Sequence, residues 1–152
     1  MFEYIRNILT AKAEDTDSNK SFQKRIQIAT CALYVEMAKA DDHFTEEERE
    51  KIISFVRNEF QLDDDEINEL IGLTEESIKK SVSIYEFGTL VESNFTQDEK
   101  FELLKNLWRL IYVDKKLDMY EDNLIKRIGD LLKMEHKEVI TAKLMVKGEL
   151  NL

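Results

Sequence analysis

The chain has 152 residues, 36% charged and 43% apolar, with a formal net charge of -10. That length fits one domain with a real core, and the apolar share excludes an intrinsically disordered chain. The acidic balance argues against nucleic acid or anionic lipid as the main partner, because phosphate repels it.

There is no proline and only four glycines, so the usual strand-and-turn punctuation is missing and an all-α fold is expected. Taken in chain order, Phe2, Ile5, Ile8 and Leu9 predict a short first helix. The polar stretch Asp15–Lys20 reads as a loop or a frayed extension. A long helix follows over about Ser21–Ala40, with Phe22, Ile26, Ala29, Leu33, Met37 and Ala40 at 3/4 spacing. Ile28, Ala32 and Val35 widen its stripe, which marks a central, heavily buried helix. Thr45 opens a helix burying Ile52, Ile53, Phe55, Val56 and Phe60. Asp63 opens a short one ending near Gly72, and a turn near Thr74 leads to another. Ser83 opens a helix with Ile84, Tyr85, Phe87, Leu90 and Val91. Thr96 opens a second broadly apolar helix around Leu103, Leu104, Leu107, Trp108, Leu110 and Ile111. Asp118 starts a helix with Leu124, Ile125, Ile128 and Leu131, and a last one begins near Glu135. The total is about seven or eight helices in a single domain over residues 1–152.

Five of these starts carry a capping box, in which an N-cap oxygen and a Glu three residues on each satisfy an orphan backbone N–H. They are Thr45 with Glu48, Asp63 with Glu66, Ser83 with Glu86, Thr96 with Glu99, and Asp118 with Glu121.

Two acidic hinges stand out: Asp41-Asp42-His43-Phe44-Thr45-Glu46-Glu47-Glu48 and Asp114-Lys115-Lys116-Leu117-Asp118-Met119-Tyr120-Glu121. Each places an Asp at the end of an apolar helix, facing the negative end of its dipole, and a Glu seven residues later. The hinges lie 73 residues apart, and the same shift overlays Val35 on Trp108, Met37 on Leu110 and Ile52 on Ile125. An internal duplication is expected, with pseudo-repeats over about 21–60 and 96–133.

Carboxylates alone favour a hard ion, Mg²⁺ or Ca²⁺ over Zn²⁺. The metal-free reading is that Glu48 and Glu121 are third-position capping residues and that Asp41 and Asp114 sit in Asx turns. An EF-hand is excluded by spacing and by the missing loop glycine. Two carboxylate pairs suit a two-metal hydrolase on paper, but no further catalytic machinery accompanies them. Trp108, Met134 and Met145 read as core or gap-filling residues, and His136 has no evident Cys or His partner. Cys31, the lone cysteine, sits in an apolar run and fits a reducing compartment. With no secretory signal pattern and no span of ~20 apolar residues, the cytoplasm is the expected location, without membrane insertion.

The runs Ala32-Leu33-Tyr34-Val35-Glu36-Met37-Ala38-Lys39-Ala40-Asp41 and Leu107-Trp108-Arg109-Leu110-Ile111-Tyr112-Val113-Asp114, each with its Glu seven on, resemble the TerB-like (tellurite resistance protein TerB) family. Tyr85-Glu86-Phe87 and Phe95-Thr96 extend the likeness, which covers about residues 20–145. The resemblance implies an all-α fold with two pseudo-repeats and divalent-cation binding at Asp41, Glu48, Asp114 and Glu121. It also implies a non-enzymatic stress or tellurite-resistance role through protein partners, in an assembly at the inner face of a membrane. Asp42 and Lys115 stand where the family commonly has glycine, and neither has glycine's easy access to positive φ.

Overall fold

The computed structural model describes residues 16–40, 42, 44–80, 83–114 and 117–152. Among these residues the chain is all α-helical. Its helices are α1 (Thr16–Ala38), α2 (Glu46–Phe60), α3 (Asp64–Lys79), α4 (Ile84–Asn94), α5 (Gln97–Ile111), α6 (Met119–Leu131) and α7 (His136–Glu149). A 3₁₀ turn, Tyr112–Asp114, follows α5. The helix predicted over Phe2–Leu9 lies outside the described residues.

The centre is α1. From Ala29 to Ala38 every residue but Glu36 is buried, and α1 packs against α2, α3, α4, α5 and α6. A helix apolar on nearly every face must be enclosed by others, which is why its stripe is so broad. The second wide helix, α5, buries Leu103, Leu104, Leu107, Trp108, Leu110 and Ile111 and carries α7 on its far side. These side chains form one continuous core with Ile52, Val56, Leu70, Val91, Ile125 and Val139.

All five expected N-caps are in place. The oxygens of Thr45, Asp63, Ser83, Thr96 and Asp118 accept the backbone N–H of the residue three positions on. The reciprocal Glu bond completes the box at Asp63–Glu66, Thr96–Glu99 and Asp118–Glu121. At Glu135 the Glu138 carboxylate accepts the N-cap amide at 3.3 Å.

The stretch from Thr16 to Lys20 is helical and extends α1, the second of the two readings its polar sequence allowed. Two expectations need correction. The long helix ends at Ala38, two residues before its predicted end. Gly72 is no C-cap and Thr74 no turn, because α3 runs unbroken to Lys79. The apolar stripe Ile67, Leu70, Ile71, Thr74, Ile78 continues through both, and the buried Thr74 hydroxyl donates to the Leu70 carbonyl at 2.8 Å. A threonine satisfied by its own i−4 carbonyl no longer competes with the helix.

Gly72 and Gly88 make opposite predictions. A Cβ at Gly72 would meet nothing within 4 Å, so Gly72→Ala gains the helix-propensity difference, a stabilisation of about 0.5–1 kcal/mol. A Cβ at Gly88 would lie 2.9 Å from the Leu131 Cβ, where α4 crosses α6. That atom moves only with its backbone. Overpacking of about 1–3 kcal/mol then exceeds the propensity gain, and Gly88→Ala destabilises. Urea unfolding of both variants checks the pair of signs.

The 73-residue shift that relates the two hinges also takes Ala38, the end of α1, to Ile111, the end of α5. It takes Glu46, the start of α2, to Met119, the start of α6.

Candidate functional site

The first hinge joins α1 to α2. Asp41 and His43 lie outside the described residues. Asp42 is exposed and sits at φ 63°, and its N–H donates to the Lys39 carbonyl at 3.0 Å. Left-handed backbone is the conformation that the glycine-free hinge was expected to resist. Asp tolerates it, because its short polar side chain bonds locally. The hinge thus takes left-handed backbone at Asp42 without glycine. After it, Thr45 caps α2 and Glu46, Glu47 and Glu48 fill its first turn, where the positive dipole end favours acids. Glu46 and Glu47 are exposed and Glu48 is buried. Lys39 sits 6.0 Å above the Phe44 ring and holds one side of the hinge.

The second hinge is built differently. Asp114 is exposed in the 3₁₀ turn, and Lys115 and Lys116 lie outside the described residues. Glu121 is buried, and its Oε1 accepts the Asp118 amide at 3.3 Å while Asp118 Oδ1 accepts the Glu121 amide at 3.0 Å. Asp122 is paired to Lys126 at 2.9 Å. Asp118, Glu121 and Asp122 are therefore engaged in caps or an ion pair. Among the described residues no group of three or more His, Cys, Asp or Glu side chains is placed to hold a metal ion.

Other singled-out residues fall as follows. Cys31 is fully buried, and burial pushes its thiol up to about 11. Trp108 is core, with its indole N–H donating to the Val139 carbonyl at 3.0 Å. Met134 is buried, but Met145 is half-exposed and fills no gap. His136 lines a shallow cleft with Asp118, Asp122 and Lys126. Among the described residues no helix is long and apolar enough to cross a membrane.

A buried polar network escaped the sequence reading. The Tyr34 hydroxyl (α1) donates to Glu59 Oε1 (α2). Asn106 Nδ2 (α5) donates to the same Oε1 at 2.7 Å and to Tyr34 Oη at 3.0 Å. Arg109 donates to Asn106 Oδ1 at 2.6 Å and grips Glu149 of α7 with two bonds of 2.8 Å. Arg109 therefore fixes the Asn106 amide, since its oxygen must face the guanidinium and its NH₂ the core. Four helices meet in one directed chain of donors running from the surface to Glu59. Burial pushes the Glu59 carboxyl up to about 8, against the pull of its bonds from Tyr34 and Asn106. Burial, and next the Glu59 charge, raise Tyr34, and the bond from Arg109 lowers Glu149. A sequence signal existed. Glu59 follows Ile52 and Val56 at helical spacing, and Asn106 lies between Leu103 and Leu110, so both are polar residues on apolar stripes.

The model of the family described as "Tellurite resistance protein TerB" matches residues 27–144. No curated protein and no solved structure matches the chain.

Proposed function

The chain belongs to the TerB family, and from that premise we propose that it is a non-enzymatic helical module of the stress or tellurite-resistance type. It works in the cytoplasm through protein partners and binds a divalent cation at its first acidic hinge. Asp41 and Glu48 are the principal ligands, with Glu46 and Glu47 adding negative charge at the mouth. An all-oxygen set of this kind suits Mg²⁺ or Ca²⁺ better than Zn²⁺. The observation that supports the reading is the left-handed backbone at Asp42, three residues before the Thr45 cap of a helix whose first turn is Glu46, Glu47 and Glu48.

At the second hinge a specific observation favours the other reading, a metal-independent scaffold. One oxygen of Glu121 is spent on the Asp118 amide, a reciprocal cap bond that the first hinge lacks at Glu48. Asp114 and Glu121 are thus the weaker pair for a cation. No arrangement among the described residues suggests the two-metal hydrolase.

The test is a titration of Mg²⁺, Ca²⁺, Mn²⁺ and Zn²⁺ followed by backbone amide shifts. Saturable movement confined to residues 41–48 is expected. It disappears in Asp41→Asn and persists in Asp114→Asn. Amides that stay still at millimolar metal would leave the scaffold reading in its place.

A further inference from the structure

The last helix, α7, is apolar on two sides. Val139, Ala142 and Val146 join the core, where α7 packs on α5 and α6. Ile140, Leu144 and Met145 take no part in it: Ile140 is half-buried, and Leu144 and Met145 are 61% and 51% exposed. Facing Ile140, Leu117 and the start of α6 close a cleft of about 530 Å³, with Met119 on its rim at 76% exposure. The cleft is also basic. His136, Ile140, Lys143, Leu144 and Lys147 recur at i, i+4, i+7, i+8 and i+11, along one flank of α7. The two acids lining the cleft are committed, Asp118 to the cap of α6 and Asp122 to Lys126 at 2.9 Å. The Lys143 ammonium stands 5.4 Å from the Trp108 ring, and neither Lys143 nor Lys147 makes an ion pair among the described residues. We infer that the α6–α7 cleft is the docking surface for an acidic amphipathic helix of a partner protein.

Charge complementarity selects this occupant. On a chain of net charge -10, two lysines without a carboxylate partner beside apolar side chains are a local exception. A carboxylate-rich partner gains ion pairs here and is repelled by the rest of the surface, which fixes where it lands. Length agrees. The stripe from His136 to Lys147 runs roughly 16 Å, about three helical turns. That is the reach over which anchors at i, i+3 or i+4 and i+7 of a bound helix engage a groove. A second copy of this chain fits less well. Its acid-rich helices, α2 and α3, carry no exposed large apolar side chain among the described residues, so they offer the charge without the anchors. An anionic membrane meets the same lysines, but the acidic remainder of the chain repels it. The cleft gives the partner-mediated role proposed above a location and rests on that part of the reading. The cation site is read at other amides, those of residues 41–48, so either can fail alone.

The probe is a synthetic helical peptide with a leucine stripe flanked by glutamates, titrated into the full chain while backbone amides are followed. Saturable shifts centred on Met119, Ile140, Lys143 and Leu144 are expected. Leu144→Asp and Lys147→Glu should each weaken binding by about tenfold, and added salt should weaken it further. Tyr85→Ser, outside the cleft, leaves the affinity unchanged. A twin peptide with lysine in place of every glutamate should not bind. Equal binding of the two peptides to the wild-type chain overturns the inference, whatever the variants do to folding, because charge then selects nothing. Amides of α6 and α7 that stay still at millimolar acidic peptide overturn it too. If phosphatidylserine vesicles broaden these resonances and the peptide leaves them untouched, the cleft faces a membrane. If dilution alone shifts them, it faces a second copy. Either of those results also overturns the inference.

Discussion

Between about pH 5 and 8 the wild-type fold will lose stability relative to a Glu59→Gln variant as the pH rises. The reason is the position of Glu59. It is 1% exposed, its Oε1 accepts from Tyr34 and Asn106, and its Oε2 has no hydrogen-bond partner. Burial raises its carboxyl to about 8, and the negative charges of Glu102 and Glu99 on α5 push the same way. In the unfolded chain the same group ionises near its ordinary value of about 4.3. The native state therefore holds a proton that the unfolded state has released. The stabilisation from this group is complete below about pH 4 and is lost as pH climbs to about 8, with a slope of at most about 1.4 kcal/mol per unit. Glutamine keeps an oxygen for Tyr34 and Asn106 but has no proton to lose. Urea midpoints at several pH values should fall for the wild type and stay flatter for the variant. Parallel curves would mean that Glu59 ionises as easily in the fold as out of it.

Trp108→Ala will be the most damaging single core change, costing about 3–5 kcal/mol. The indole is 1% exposed, stacks on Tyr112 at 5.9 Å and lies 5.4 Å beneath Lys143. Its N–H reaches across to the Val139 carbonyl, so it joins α5 to α7 by packing and by a hydrogen bond at once. The cavity left behind opens on the α5–α7 contact, and α7 should lose amide exchange protection before the rest of the fold. Trp108→Phe keeps most of the apolar area but not the bond, and is expected to cost less. Hydrogen exchange of the α7 amides separates the two variants. Equal protection of α7 in wild type and Trp108→Ala would show that α7 is held elsewhere, for instance by Arg109 and Glu149.

The helix starts were readable because capping is local chemistry. A Thr, Ser or Asp with a Glu three residues on settles Thr45, Asp63, Ser83, Thr96 and Asp118 without reference to any other part of the chain. The central place of α1 was readable for a related reason, since an apolar face too wide for one neighbour requires several. The run through Gly72 and Thr74 was misread because glycine and threonine punctuate only when nothing holds them. Here a buried stripe on α3 decides. The network of Tyr34, Glu59, Asn106 and Arg109 was hidden for a deeper reason. Each residue is unremarkable on its own helix, and their meaning arises only where α1, α2 and α5 meet. At the hinges, the capping reading accounts for Glu121, whose carboxylate accepts the Asp118 amide. The structure adds that the missing glycine is no obstacle, because Asp42 adopts the left-handed turn itself.

The sealed thiol of Cys31 has a kinetic meaning. With its ionisation moved up to about 11, the reactive thiolate is roughly one part in ten thousand at neutral pH, against a few per cent for a free cysteine. The sulfur also lies at 0% exposure on the innermost helix. Electrophiles and oxidants therefore find nothing to attack while the helices stay closed around α1. Any modification of this residue is a record of how often the core has come apart, and the molecule carries its own tally of breathing.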